Sequence, residues 1–196
     1  MRKVRHPIYT KACLNDGTPL YIRPLLPQDK SCLQTGYMCL SKKSRYYRFL
    51  TFQSKLNEKQ LKYLTEIDYV NHFAIGARLS CESGKGIGIG RYVRISDEPN
   101  TAEVALITLD DYQQKGLGTL LLQLLAQYAR HNDINTFRGF VLEDNRKLMS
   151  FVQKFNPQVN WEGGPVLRLD IPLSGIKTGS CLLQSVHVRD LENIQV

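Results

Sequence analysis

The segment Gln113-Gln114-Lys115-Gly116-Leu117-Gly118-Thr119 decides the fold. It follows residues 103–109, a run of strand character, and leads into residues 116–131, where apolar side chains recur at helical spacing. Two glycines at the start of a helix allow several backbone N–H groups to point at one anion, and the helix N-terminus adds a partial positive charge. Lys115 adds a full charge. The alternative is a strand-to-helix turn that needs glycine for its geometry alone.

Strand character returns at residues 136–142, after the predicted helix. The helix itself is supported by apolar positions that share one face: Leu117, Leu120, Leu121, Leu124, Leu125 and Tyr128. A strand, a helix and a second strand in this order form a crossover, which places the two strands parallel.

The rest of the chain predicts short strands and helices joined by turns. Strands are expected at residues 10–14, 18–23, 72–80, 87–95 and 165–173, and helices at residues 28–40, 56–66 and 146–155. Turn-rich connectors at residues 15–17, 82–86 and 97–100 indicate antiparallel hairpins. The glycines of residues 84–90 lead into a strand, which indicates that another element packs closely there. The predicted fold class is α/β, with a mixed, mostly antiparallel central sheet flanked by helices and one parallel crossover.

Length and charge narrow the possible functions. The 196 residues and 42% hydrophobic content suit one globular domain, expected at residues 1–173. The tail at residues 174–196 is looser and more polar, and it could be an added strand, a dimer arm or a disordered segment.

The net charge of +8 could solvate the surface, attract an anionic small molecule or attract nucleic acid. Because the basic residues are scattered, a nucleic-acid partner is not expected.

Cysteine and histidine positions bear on metals and compartment. The five cysteines include no C-x-x-C pair, so neither a disulfide framework nor a zinc site is expected, and a reducing cytoplasm is the simplest location. His6, His131 and His187 have no acidic or cysteine partners at metal-ligand spacing, so no metal is expected. No stretch approaches the roughly 20 apolar residues of a membrane helix, and no membrane partner is expected.

The central segment has the pattern Q-x-x-G-x-G, with Glu103 ten positions before Gln113. It lacks the G-x-x-x-x-G-K-[ST] of a phosphate-binding loop and the G-x-G-x-x-G of a dinucleotide site. The pattern resembles the acetyl-CoA signature of the GNAT superfamily, and the resemblance extends over residues 18–173. It implies the GNAT acyl-CoA N-acyltransferase fold. Further stretches resemble the bacterial protein-lysine acetyltransferase branch, namely Asp16-Gly17-Thr18, Ser44-Arg45-Tyr46, His72-Phe73-Ala74 and Gly90-Arg91-Tyr92-Val93-Arg94.

The resemblance implies acetyl-CoA as cosubstrate and assigns residues to it. The pantetheine arm is expected to pair with the backbone of Leu106, Ile107 and Thr108. The pyrophosphate is expected on Gln114, Lys115, Gly116, Leu117, Gly118 and Thr119. Asn145 matches an asparagine that the family places near the cofactor, and asparagine is also a favoured helix N-cap, so both roles are open.

By the same resemblance, Glu103 is the candidate general base. A lysine amine is protonated at neutral pH, with a pKa of about 10.4, and a carboxylate acting through a water could remove its proton. The alternative is a structural ion pair of Glu103 with Arg91 or Arg94.

One position departs from the family pattern. Many members carry a tyrosine, proposed to protonate the leaving thiolate, where this chain has Val152, and Asn156-Pro157 replaces the usual Gly-Phe. We expect Val152 to border solvent-filled cofactor space, and the alternative is a core position.

The predicted function is transfer of an acetyl group from acetyl-CoA to an amine, with a protein lysine as the expected acceptor. A small-molecule amine acceptor and a non-catalytic acyl-CoA-binding module are the alternatives. A homodimer is left open.

Overall fold

The computed structural model describes residues 9–49, 53–81, 84–177 and 184–186. Within these ranges the helices are α1 (Lys30–Met38), α2 (Lys42–Phe49), α3 (Glu58–Thr65), α4 (Leu117–His131) and α5 (Arg146–Val152). The strands are β1 (Tyr9–Cys13), β2 (Pro19–Pro24), β3 (His72–Leu79), β4 (Gly86–Ile95), β5 (Glu98–Thr108), β6 (Thr136–Leu142), β7 (Gln158–Trp161), β8 (Val166–Pro172) and β9 (Gln184–Val186).

The strands form one sheet in the order β7-β8-β6-β5-β4-β3-β2-β1-β9. All neighbouring strands of this described sheet are antiparallel except β5 and β6, which are parallel and are joined by α4. The α/β prediction, with its single crossover, is confirmed.

Helices cover both faces of the sheet, and alternate residues of β3 show how the two cores divide. Phe73 and Ile75 join the core formed with α4 and α5, whereas Ala74 joins a second core under α1 and α3. This alternation follows from the two-residue period of a strand buried on both sides.

Glycines in β4 let α4 approach the sheet closely. A β-carbon on Gly90 would lie 2.9 Å from both Leu106 Cδ2 and Leu125 Cδ1, closer than packed side chains tolerate. The glycine-rich stretch therefore enters a closely packed strand, as predicted.

One strand boundary differs from the prediction. The sequence predicts residues 97–100 as a connector between two strands, but β5 begins at Glu98, and only Ser96 and Asp97 form the turn. The β4–β5 register is irregular after Arg94, so Pro99 lies where the regular ladder is interrupted and its missing N–H is tolerated.

Ordered packing continues past Leu173. Ile176 is buried in the α4 core, and Arg130 donates hydrogen bonds to the carbonyls of Leu173 and Ile176. Residues 184–186 add a strand beside β1, which is one of the roles considered for the tail. The division of the chain at residue 173 remains a proposal.

Candidate active site

The predicted anion-binding loop lies at the N-terminus of α4. Gln114 and Gly116 both have positive φ, at 61° and 89°, and Gly116 is the N-cap residue. The first helical hydrogen bond runs from Leu120 N to Gly116 O at 3.1 Å. Among the described residues, the N–H groups of Leu117, Gly118 and Thr119 have no acceptor. Unpaired N–H groups at a helix N-terminus form a site suited to a phosphate.

Packing within the protein does not require glycine at position 118. The atom nearest to a β-carbon placed there is Phe151 Cζ at 3.6 Å, an ordinary van der Waals distance. Glycine inside a helix costs roughly 0.5–1 kcal/mol relative to alanine. A close approach by a ligand would explain why the chain has glycine here.

The loop is anchored to the turn between β1 and β2. Asn15 N donates to Lys115 O at 3.0 Å, and Lys115 Nζ lies 3.1 Å from Asp16 Oδ2. Hydrogen bonds from Thr18, followed by Lys115, lower the pKa of Asp16 to about 2. The expected full charge of Lys115 is therefore shared with Asp16 rather than wholly available to a ligand.

A gap opens between β5 and β6 beside this loop. The parallel ladder pairs Thr101 with Thr136, Ala102 with Phe137 and Glu103 with Arg138, and among the described residues it extends no further. Leu106, Ile107 and Thr108 still pair with β4, and the Thr108 carbonyl has a weak contact with Gln113 Nε2 at 3.5 Å. Toward β6, these three residues have no strand partner among the described residues. This is the arrangement that a pantetheine arm pairing with β5 needs.

Glu103 lies where the two strands begin to separate. Its side chain is exposed and borders a cavity of about 460 Å³ on the face covered by α2 and α3. It forms no direct ion pair with any described residue, although its charge acts on Arg48 and Arg91 in the same cavity. Arg94 instead donates to Asn71 Oδ1 at 2.9 Å and to the Pro99 carbonyl, and Arg91 donates to His72. The alternative structural ion pair is therefore not formed.

Sequence reasoning did not bring two arginines together with Glu103. It weighs residues 45–48 as the rim of a substrate or cofactor site against packing on a helix surface, and it considers Arg91 only as an ion-pair partner. Both Arg48 and Arg91 line the cavity. The register of the β4–β5 hairpin could have placed Arg91 close to Glu103. Val93 lies opposite Glu103 and Arg91 lies opposite Ala105, one pair further along, so all four side chains are on the same face of the sheet.

Asn145 caps α5. Its side chain accepts a hydrogen bond from Leu148 N at 3.3 Å, so the capping role is observed. A second role toward the cofactor remains a prediction.

Val152 belongs to the core, which contradicts the expectation of an open position. It is 5% exposed and shares the core cluster with Leu117 and Phe155. The face of α5 that carries Val152 points toward the sheet, so the valine packs against the core and does not border solvent. Asn156 follows with φ 50°, a left-handed conformation that asparagine tolerates better than most residues.

We expect Val152→Tyr to destabilise the protein by about 1–3 kcal/mol, because the ring would overpack the core. Thermal melting measures the effect. Ser150→Tyr, at an exposed position of the same helix, is the matched control and should leave the melting temperature nearly unchanged. An unaltered melting temperature for Val152→Tyr would contradict the core assignment.

Two further findings concern metals and membranes. The described residues contain no group of three or more His, Cys, Asp or Glu side chains that could hold a metal ion. Within the same part of the chain, every helix is too short or too polar to cross a membrane.

Comparison with known proteins reveals sequence relatives over much of the chain. Acetyltransferase Pat from Mycolicibacterium smegmatis is 35% identical over 136 residues, which are 68% of this chain and 40% of that protein. Acetyltransferase PA5475 from Pseudomonas aeruginosa is 35% identical over 121 residues, 61% of this chain and 64% of that protein. The chain thus spans less than two thirds of either relative.

Solved structures and a family model agree with these relatives. The GNAT domain of S. lividans PAT superposes with a TM-score of 0.78 at 28% identity, covering 84% of this chain and 96% of that one. The model of the Acetyltransferase (GNAT) family matches residues 43–156, more than half of the chain and the region that holds both the loop and Glu103. The chain therefore belongs to the GNAT acetyltransferase family.

Proposed function

We propose that this protein transfers an acetyl group from acetyl-CoA to the side-chain amine of a protein lysine. The observation that carries the proposal is the position of Glu103. Its carboxylate borders a cavity at the point where β5 and β6 separate, and the open edge of β5 runs from there toward the N-terminus of α4.

The loop and the open strand edge divide the binding of acetyl-CoA between them. The N–H groups of Leu117, Gly118 and Thr119 would donate to the pyrophosphate, with Gln114, Lys115 and Gly116 shaping the loop. The backbone of Leu106, Ile107 and Thr108 would pair with the pantetheine amides as an added strand does. Asn145 would contribute from the start of α5.

Glu103 would act as general base through a water. It accepts one proton from the acceptor ammonium, and the freed amine nitrogen forms a bond to the acetyl carbonyl carbon as the carbon–sulfur bond breaks. As the amide forms, the nitrogen releases its second proton to water. Val152 is a buried valine and offers no proton, so water in turn protonates the departing thiolate. Removal of the ammonium proton by a positioned base contributes typically 10²- to 10⁴-fold to the rate.

A protein lysine is proposed as acceptor because of the resemblance to the protein-lysine branch. The matches to Pat and to the S. lividans PAT domain support the same branch. We also propose a cytoplasmic location, supported by Cys13, Cys32 and Cys39, which are exposed free thiols in the described part of the chain.

The test is incubation with acetyl-labelled acetyl-CoA and a cell lysate, with Glu103→Gln as the inactive control. We expect the label in protein, on lysine side chains, with the wild type only. Label confined to small molecules would redirect the proposal to a small-molecule amine. Tight acetyl-CoA binding without any transfer would favour the non-catalytic module.

A further inference from the structure

The cavity beside Glu103 contains two arginines that the proposed chemistry does not use. Arg48 lies on α2 and is half-buried, and Arg91 lies on β4 and is 6% exposed. Both face the side of the sheet covered by α1, α2 and α3, whereas the N-terminus of α4 lies on the opposite side. These arginines are therefore not placed to bind the pyrophosphate.

Arg91 is held in position without a carboxylate. One of its Nη atoms donates to His72 Nε2, and its guanidinium lies 5.3 Å from the ring centroid of Tyr63. Burial, followed by the charge of Arg91, lowers the pKa of His72 to about 4, so its ring is neutral and accepts this bond at neutral pH. The buried Nε of Arg91 has no hydrogen-bond partner among the described residues.

Arg48 adds a second cation to the same space. Its guanidinium lies 4.9 Å from the ring centroid of Phe49, and among the described residues it has no ion-pair partner. Burial, followed by the charge of Arg48, lowers the pKa of Arg91 to about 10. The two partly desolvated guanidinium groups thus repel each other, and for Arg91 the attraction of Glu103 is smaller than the repulsion by Arg48. A further anion between the two groups would lower this cost.

Several other arginines in the described part of the chain do have a carboxylate partner. Three that are also partly buried each pair with a carboxylate: Arg23 with Asp29 at 2.6 Å, Arg138 with Asp170 at 2.7 Å and Arg168 with Glu162 at 2.7 Å. Arg94, which is also partly buried, is satisfied instead by Asn71 and by backbone carbonyls. Glu103 is the one carboxylate among the described residues that line the cavity, and its charge acts on both Arg48 and Arg91. One carboxylate for two guanidinium groups leaves a net positive charge, which a carboxylate from outside would neutralise.

We propose that Arg48 and Arg91 form a subsite for a carboxylate carried by the acceptor, adjacent to the amine that Glu103 deprotonates. This inference rests on the proposed function. A guanidinium presents paired N–H donors that match a carboxylate, and such charge-assisted bonds are about twice as strong as neutral ones. In a protein acceptor the carboxylate is an Asp or Glu beside the target lysine, and in a small acceptor it is that of an amino acid.

Matched acceptors test the subsite. Two lysine peptides differ only in carrying Asp or Asn beside the lysine, and free lysine is compared with its carboxamide. We expect the wild type to prefer the carboxylate member of at least one pair by about 10- to 100-fold in kcat/KM. The preferred pair identifies whether the carboxylate belongs to a peptide or to an amino acid.

The variant for this test is Arg48→Gln, since Arg48 is less buried than Arg91, with Arg48→Lys as the charge-retaining control. We expect Arg48→Gln to reduce the preference to within a few-fold, at unchanged acetyl-CoA affinity and melting temperature, and Arg48→Lys to keep part of it. Equal rates for both members of both pairs with the wild type would overturn the subsite. A full preference that survives in Arg48→Gln would do the same.

Peptide binding in the presence of CoA separates failure of the subsite from failure of the proposed function. Fluorescence anisotropy with the same peptides, labelled at one end, needs no turnover. Tighter binding of the Asp peptide without acetylation would support the carboxylate subsite and contradict the proposed acetyl transfer. Acetylation without any carboxylate preference would support the acetyl transfer and contradict the subsite.

Discussion

Replacing Gly118 with Asp is expected to weaken acetyl-CoA binding by about 100-fold or more, because a carboxylate near the pyrophosphate repels each of its charges by about 1–4 kcal/mol at 4 Å. The protein itself should tolerate the change. A β-carbon at this position would meet only Phe151, at 3.6 Å, and an acidic residue in the first turn of a helix is favourable.

Isothermal titration calorimetry measures this affinity, and Gly118→Asn is the matched control of similar shape without the charge. We expect the Asn variant to bind more tightly than the Asp variant and both to melt near the wild-type temperature. Unchanged acetyl-CoA affinity in Gly118→Asp would remove this loop from the binding site.

Glu103→Gln is expected to lower turnover by about 10²- to 10⁴-fold while leaving acetyl-CoA affinity intact, the usual range for loss of a general base. Glutamine keeps the shape of the side chain but cannot accept the proton. Because Glu103 is exposed and has no ion-pair partner among the described residues, its replacement should not disturb the fold.

Single-turnover rates and calorimetry on the same preparation separate chemistry from binding. Glu162→Gln removes a carboxylate that pairs with Arg168 and does not border the cavity, so it should retain wild-type turnover. If Glu103→Gln turns over as fast as the wild type, the base lies elsewhere or the amine arrives already neutral.

The features that sequence predicts well are those that depend on local spacing. The apolar period from Leu117 to Tyr128 predicts α4, and Gly116 at its start has a left-handed backbone conformation that glycine favours. The order of strand, helix and strand then fixes β5 and β6 as parallel neighbours, which the ladder at Glu103 confirms.

Features that depend on contacts between segments far apart in the chain are harder to predict from the sequence. α2 is strongly basic and has no fully buried residue, so the sequence pattern does not delimit a helix within residues 41–52. The pairing of Lys115 with Asp16 depends on where the first hairpin packs, far away in sequence. The arginines around Glu103 come together only because α2 covers the β4–β5 hairpin.

Val152 shows how a family pattern can mislead about packing. The resemblance identifies its position with a proton donor at the cofactor, but the valine is buried in the core. Family position predicts where a residue lies along a helix, whereas the side chain and its neighbours decide which surface it meets.

The central claim is that acetyl-CoA lies along the open edge of β5 with its pyrophosphate on the N-terminus of α4. Amide hydrogen exchange with and without CoA tests this directly, because every amide that gains a hydrogen bond or loses access to water exchanges more slowly. We predict slower exchange in the segments that contain Leu106 to Thr108 and Gly116 to Thr119, with little change in the β7–β8 hairpin. Protection confined to another surface, with exchange at these two segments unchanged, would contradict the account.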